Sequence, residues 1–154
     1  MRERVVFQAV EGHRSRAEPL YVGVRGDVLR LVPNAVVEHV GSTSLPDELS
    51  NGDLDVQVRV RPEVFDEACR ALGTVYQVNP GGFTDGCRSF KQDSSELPLG
   101  VHVTIVGGPS DIQCSHRDLL RRRPDLPAEY DALKRRFDGG DMDAYREAKD
   151  AFFA

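Results

Sequence analysis

Two carboxylates separated by one residue stand in Asp53-Leu54-Asp55-Val56-Gln57-Val58-Arg59-Val60, the clearest strand pattern of the chain. Strict alternation puts Leu54, Val56, Val58 and Val60 on one face and Asp53, Asp55, Gln57 and Arg59 on the other. On one strand face the two acids lie about 6–7 Å apart at the backbone, so their side chains can lean together on one hard cation. Magnesium is held in this way, by one or two carboxylates, several waters and the phosphates of a substrate. Upstream, the β-rich run 35–40 ends in Gly41-Ser42-Thr43-Ser44, a glycine followed by hydroxyls. Glycine lets a backbone approach a ligand closely, and amides at the start of a following helix favour phosphate. Eleven residues separate Gly41 from Asp53. Each half is common alone; the two in this order form a far more specific pattern.

His102 and Thr104 share one face of the apolar run 101–106, opposite Val101, Val103 and Ile105. Arg88 and Lys91 fall on the expected strand 87–92 just before it. They are the expected phosphate contacts, lining the same cleft as Asp53 and Asp55, because a phosphate beside two carboxylates needs cationic balance. Plainer readings stand beside these. Gly41-Ser42-Thr43 could be a tight turn with helix capping, Asp53 and Asp55 a solvent-facing strand edge, and Arg88 and Lys91 ordinary exposed bases. Glu38 and His39 point to opposite faces of their strand, so at most one of them faces the acids. Arg121-Arg122-Arg123 reads as a solvated helix end set against the helix dipole. Lys134 reads as a helix-surface lysine, and Tyr130, Tyr145, Phe152 and Phe153 as core.

The elements that must position these residues follow from periodicity. Residues 15–32 carry Ala17, Leu20, Tyr21, Val24, Val28, Leu31 and Val32 at helical steps, with Ser15 and Glu18 at capping-box spacing. Pro62 opens a helix whose face is Phe65, Ala68/Cys69 and Leu72, closed by Gly73. Short strands at 75–78 and 87–92 flank the glycine-rich loop 79–86. Helices are expected at 110–122, at 127–137 from Pro127, and at 141–153 with Asp141 as N-cap. Strands dominate the middle and helices both ends, which predicts a mixed β-sheet flanked by helices, α/β or α+β, in one domain over residues 1–154.

Composition narrows the function classes. The formal net charge of −5 argues against a non-specific nucleic-acid binder. No apolar run approaches the roughly 18 residues of a membrane span, and the N-terminus lacks a signal-peptide core, so a cytoplasmic protein is expected. Cys69, Cys87 and Cys114 stand far apart, with no CxxC pair and no zinc spacing, and read as small apolar residues. Residues 33–66 hold seven acids against Arg59 and Arg61, whereas residues 117–136 hold seven bases against four acids. Such segments could together hold a cation and a polyphosphate, or could be solvated faces.

Val40-Gly41-Ser42, a spacer, and Asp53-Leu54-Asp55-Val56 resemble the signature of the nucleotidyltransferase superfamily. The closer resemblance is to the GrpB family of small bacterial proteins, carried by Glu38-His39-Val40-Gly41-Ser42-Thr43-Ser44-Leu45-Pro46 and the acid strand after it. Gly82-Phe83-Thr84-Asp85, Arg88-Ser89-Phe90-Lys91, Val101-His102-Val103, Arg117-Asp118-Leu119-Leu120-Arg121 and Tyr145, Lys149 and Phe152 are similar to later family segments. The resemblance runs from about residue 35 to the end.

It implies a nucleotidyltransferase-like fold in which Asp53 and Asp55 hold a divalent cation, Mg²⁺ or Mn²⁺. Gly41, Ser42, Thr43, Ser44, Arg88 and Lys91 would bind the nucleotide, and a nucleoside monophosphate would pass from a nucleoside triphosphate to an unidentified small-molecule or protein acceptor. The third carboxylate of the superfamily is replaced by His102, as the family generally has it. Imidazole is a poor Mg²⁺ ligand but suits a softer cation or general-base work, so His102 is counted with the catalytic residues and a preference for Mn²⁺ is expected. Asn51 stands where relatives commonly carry Lys, and Pro46-Asp47-Glu48 replaces the usual Pro-Gly. The alternative is a catalytically inactive nucleotide-binding or regulatory module on the same scaffold.

Overall fold

Alternation of polar and apolar side chains makes the acid segment a central strand with two differently covered faces. The structure is a computed structural model that describes residues 3–45, 49–50, 52–93 and 96–154. In it the segment forms β4 (Leu54–Val60), with Asp53 immediately before the strand. β4 lies between β2 (Val36–Val40), antiparallel to it, and β7 (Leu99–Ile105), parallel to it. β6 (Cys87–Gln92) and the two-residue β5 (Gln77–Val78) continue antiparallel, giving the order β2-β4-β7-β6-β5. The expected mixed sheet is therefore present.

Leu54, Val56, Val58 and Val60 join Val101, Val103 and Phe90 in the main core. That core is closed by Ala17, Val24 and Val28 of α1 (Val10–Leu31) and by Phe65, Ala68 and Leu72 of α2 (Phe65–Leu72). Helix α1 starts five residues before the expected capping box, so Ser15 lies inside it. Glu11 and Arg14 are competent helix formers that carry no apolar stripe, and periodicity cannot see such a turn. Pro19 is accommodated within the helix.

The polar face of β4 is not a bare solvated surface. Gln57 is fully buried. Its Nε2 donates to Thr104 Oγ1 (2.9 Å) and Asp111 Oδ1 (3.0 Å), while its Oε1 accepts from the Cys114 amide (2.9 Å) at the start of α3 (Gln113–Arg122). Asp111 also receives Arg59 through two bonds of 2.7 and 2.8 Å and the Gly107 amide at 2.9 Å. Asp111→Ala strips all of these acceptors at once and is expected to lower stability by about 2–3 kcal/mol at pH 7. The Arg59 guanidinium, with the Gly107 amide and Gln57, holds the Asp111 carboxyl below its ordinary value against the opposing effect of burial. Its contribution is therefore present above the unfolded-state pKa and is lost as pH falls through the folded-state value. Denaturant unfolding at pH 7 and pH 3 checks this; a deficit that does not shrink in acid would contradict it.

The C-terminal helices α4 (Leu126–Phe137) and α5 (Met142–Phe153) pack with α3 around Leu120, Tyr130 and Leu133, joined by Leu45 from the turn after β2. Tyr130 and Tyr145 are core residues, as expected, and Asp141 caps α5 through the Ala144 amide. Lys134 departs from expectation: it is 1% exposed, its ammonium 4.1 Å from the centre of the Tyr130 ring and 3.7 Å from Asp131. A cation over an aromatic face beside a carboxylate can tolerate burial that a lone lysine cannot. The N-terminal segment crosses this helix pair, with Val5 bonded to Gly139 and Gly140, and leads to β1 (Gln8–Ala9), which pairs with β3 (Leu49–Ser50). All three cysteines are free. Among the described residues no helix is long and apolar enough to cross a membrane.

Candidate functional site

The end of β2 and the start of β4 meet through a glycine. Val40 is in register with Asp55, and the chain then turns at Gly41 with φ 75° and ψ −174°, a region essentially reserved for glycine. A Cβ at Gly41 would lie 2.6 Å from Asp55 Oδ2. The backbone thus passes over the carboxylate at a distance only glycine permits. After it comes one 3₁₀ turn, Ser42–Ser44, instead of a long helix. Of the expected phosphate-binding hydroxyls, two are turned inward. Thr43 Oγ1 donates to the Asp53 carbonyl (3.3 Å) and bonds His39 Nε2 (3.0 Å), and Ser44 Oγ donates to the Gly41 carbonyl (2.5 Å). Thr43 and Ser44 are buried, so the tight-turn reading is the one observed for them, without a side-chain helix cap. Gly41 and the half-buried Ser42 remain at the surface of the site. Arg121 fixes the turn by donating to the Ser44 carbonyl at 2.9 Å.

The two acids differ electrostatically. Burial, the neighbouring Asp55 charge, and then Glu3 and Asp93 push the Asp53 carboxyl up to about 7. For Asp55 burial also acts upward, but the hydrogen bond and charge of His102, with Lys149 and His39, outweigh it and hold the carboxyl below its ordinary value. His102 Nε2 lies 3.2 Å from Asp55 Oδ1, and His102 Nδ1 lies 2.9 Å from Ser89 Oγ, which donates to the Gly82 carbonyl at 3.0 Å. Three hydrogen bonds in a row need three protons. Ser89 supplies the one to Gly82, and His102 Nδ1 supplies the one to Ser89. The row superficially matches a serine hydrolase triad, but the Ser89 hydroxyl is buried and committed to Gly82. It cannot serve as a nucleophile there.

Cross-strand register explains which other candidates reach the acids. Asp55 is opposite Gly100 of β7, and Gly100 is opposite Lys91 of β6. Lys91 is therefore on the site face, 3.7 Å from Asp93. Arg88, three residues earlier, is on the other face. Its guanidinium lies 4.8 Å from the Phe83 ring centre and 5.9 Å from that of the core residue Phe65. The expectation that both bases line one cleft is corrected for Arg88, because strand side chains alternate. Glu38 is on the site face but paired with Arg117 at 2.7 Å, whereas His39 is buried on the α1 side, stacked on Tyr21. Lys149 of α5, whose charge acts on Asp55, is a site residue that motif and spacing do not reveal. Nothing local in sequence links it to β4; only the docking of α5 does. Pro46, Asp47, Glu48 and Asn51 lie outside the described residues.

The donor set fits one hard cation. Two carboxylates, one pushed up by burial and then by the charge of the other, would gain from a cation between them. Glycines at positions 41 and 100 keep side chains away from Asp55, since a Cβ at Gly100 would lie 2.9 Å from its Oδ1. His102 stands beside the pair, its Nδ1 engaged by Ser89 and its Nε2 facing Asp55 Oδ1 at 3.2 Å. Among the described residues no group of three or more His, Cys, Asp or Glu side chains converges as a metal site.

The family model described as "GrpB protein" matches residues 10–154. A UPF0157 protein of Vibrio cholerae is 27% identical over 157 residues, covering 97% of this chain and 80% of that protein. The UPF0157 protein YqkA of Bacillus subtilis is 30% identical over 104 residues, which are 64% of this chain and 30% of YqkA. Among solved structures, the conserved protein GrpB from Enterococcus faecalis superposes with a TM-score of 0.63 at 20% identity, covering 85% of this chain and 81% of that one. The Cid1 poly(U) polymerase with MgGTP bound gives a TM-score of 0.51 at 13% identity over 74% of this chain and 38% of Cid1. These two likenesses are of fold.

Proposed function

The chain belongs to the GrpB family and has a nucleotidyltransferase-like fold, and from this premise we propose that it is a metal-dependent nucleotidyltransferase. It takes a nucleoside triphosphate and transfers the nucleoside monophosphate to a hydroxyl of a small-molecule or protein acceptor. One observation carries the reading: Gly41 passes over Asp55 so closely that a Cβ would stand 2.6 Å from Oδ2, which joins a phosphate-compatible turn to a carboxylate pair.

Asp53 and Asp55 would hold the cation, which when bound neutralises the triphosphate and makes the α-phosphorus more electrophilic. Gly41 leaves its backbone open to phosphate oxygens, with Ser42 beside it. Lys91 and Lys149 balance the remaining negative charge. His102, anchored by Ser89, keeps Asp55 ionised and fixed in orientation. The acceptor hydroxyl oxygen then attacks the α-phosphorus in line with the departing pyrophosphate and gives up its proton to solvent, and the acids keep the reacting groups in place.

Lys149→Met is expected to weaken binding of a metal–nucleotide complex at least about tenfold, since a hydrogen bond to a charged group contributes roughly 1.5–3 kcal/mol. Arg88→Met, on the other face of the sheet, leaves it within about twofold. Isothermal titration with a non-hydrolysable ATP analogue measures both, and equal losses would contradict the assignment of Lys149.

A second reading is an inactive nucleotide-binding module, favoured by His102 standing on Asp55 where the superfamily has a third carboxylate. A thermal-shift screen of nucleoside triphosphates with and without Mg²⁺ or Mn²⁺, followed by a pyrophosphate-release assay, separates the readings. Metal-dependent binding with pyrophosphate release in the presence of acceptor is the transferase result. Binding without release supports the module, and no metal-dependent binding overturns both.

A further inference from the structure

We propose that the cleft between α1 and the segment leading into β5 binds an uncharged, mainly apolar small molecule that presents one hydrogen-bond acceptor to Tyr76. The cleft lies on the α1 side of the sheet. Gln92, which lines it, follows Lys91 on β6 and so points away from the face of Asp53 and Asp55. The two sites are separate, and neither depends on the other. The cavity measures about 410 Å³, within the roughly 300–1,000 Å³ of small-molecule sites. Leu20, Val24 and Leu31 of α1 wall it on one side and Val75 on the other. Leu31 and Val75 remain 37% and 52% exposed, large apolar side chains left open to a ligand.

One polar group of the cavity calls for a partner. Tyr76 packs in the main core and is 8% exposed, yet its hydroxyl has no hydrogen-bond partner among the described residues. A buried tyrosine hydroxyl normally finds one, and the cavity that Tyr76 lines has room to bring it. Burial, and then the charge of Asp27, push the hydroxyl above its ordinary value. It therefore keeps its proton and offers a ligand its O–H.

Charge at the cavity excludes the ionic alternatives. Asp27 and Arg30, one helical turn apart, both line it and are paired with each other. A ligand carboxylate beside Tyr76 would meet the charge of Asp27, and a ligand cation would have to take that carboxylate from Arg30. A neutral carbonyl or ring nitrogen meets neither cost and accepts from Tyr76. Gly23 also lines the cleft, and a Cβ there would meet nothing within 4 Å. A bulky side chain at that position can thus enter the cleft without displacing a neighbour.

The test titrates the full chain with acetophenone and follows the methyl groups of Leu20, Val24, Leu31 and Val75 by NMR. Saturable shifts of these methyls are expected in the wild type. Tyr76→Phe is expected to weaken acetophenone at least about threefold, the loss of one hydrogen bond. It should leave α-methylstyrene, which has the same shape with a CH₂ in place of the carbonyl oxygen, unchanged. Tyr76→Phe removes no bond within the protein, so its melting temperature should not fall. Gly23→Phe is expected to abolish the shifts from both probes. No saturable shifts in the wild type, equal losses of the two probes in Tyr76→Phe, or a lowered melting temperature of that variant would overturn the proposal. So would wild-type affinity in Gly23→Phe, or tighter binding of benzoate or benzylammonium than of acetophenone. If Gly23→Phe does not fold, judged by circular dichroism, Tyr76→Phe and the charged probes decide.

Discussion

Asp53→Asn and Asp55→Asn are each expected to lower metal-dependent nucleotide affinity by at least about 100-fold, because losing a ligand exceeds the 10–100-fold cost of losing an outer-shell partner. Their effects on metal-free stability run in opposite directions. The Asp53 carboxyl titrates at about 7 in the fold, raised by burial and by Asp55. Between the unfolded value near 3.9 and the folded value, the native state holds a proton that the unfolded state has released. Wild-type stability therefore falls as pH rises through this window, with a limiting slope of about 1.4 kcal/mol per pH unit. Asparagine has no such transition, so Asp53→Asn is expected to gain about 1–3 kcal/mol over the wild type at pH 8, and nothing near pH 4. Asp55 is shifted the other way by His102, so its charge contributes stability above its unfolded pKa that is lost as pH falls through the folded value. Asp55→Asn is expected to lose about 1–3 kcal/mol at pH 7, because the His102 ring keeps its place without its ionic partner. Urea unfolding from pH 4 to 8 without metal measures both. Equal signs for the two variants at pH 8 would refute the electrostatic division between the acids.

Gly41→Ala is expected to be the most damaging single methyl addition at the site. The backbone at φ 75° and ψ −174° costs any other residue about 1–3 kcal/mol. The new Cβ would also meet Asp55 Oδ2 at 2.6 Å, so strand end or carboxylate must shift. A total loss of about 2–4 kcal/mol is expected, with metal-dependent nucleotide binding abolished. Gly23→Ala is the control. It lies within α1, where an added Cβ meets nothing within 4 Å, and exchanging a helical glycine for alanine should stabilise by about 0.5–1 kcal/mol. Thermal unfolding and calorimetric titration of the pair provide the check, and a Gly41→Ala protein that keeps wild-type affinity would exclude the turn from the site.

What was legible in the sequence is what local sterics govern. A strand alternates its side chains whatever surrounds it, so Leu54, Val56, Val58 and Val60 could be assigned to the core before any fold was known. The expected helices at 110–122, 127–137 and 141–153 correspond to α3, α4 and α5 with shifts of up to three residues at their ends. The spacing from Gly41 to Asp53 set the turn and the acid strand in the right order, and the cross-strand register brought them into contact. The same alternation separates Arg88 from Lys91, since an odd spacing on one strand sends two side chains to opposite faces.

Other features were decided only when distant segments packed. Gln57 reads as an exposed polar residue, yet it is buried because the α3 N-terminus and Asp111 cover its face and satisfy its amide. Lys134 reads as a surface lysine until Tyr130 and Asp131 surround it. The engagement of both His102 nitrogens depends on Ser89 and Asp55, residues from two other strand segments, and Lys149 acts on Asp55 only because α5 docks beside the sheet. Periodicity fixes which way a side chain points relative to its own backbone. It carries no information about what stands opposite, and burial, charge pairing and ligand capacity all depend on that partner.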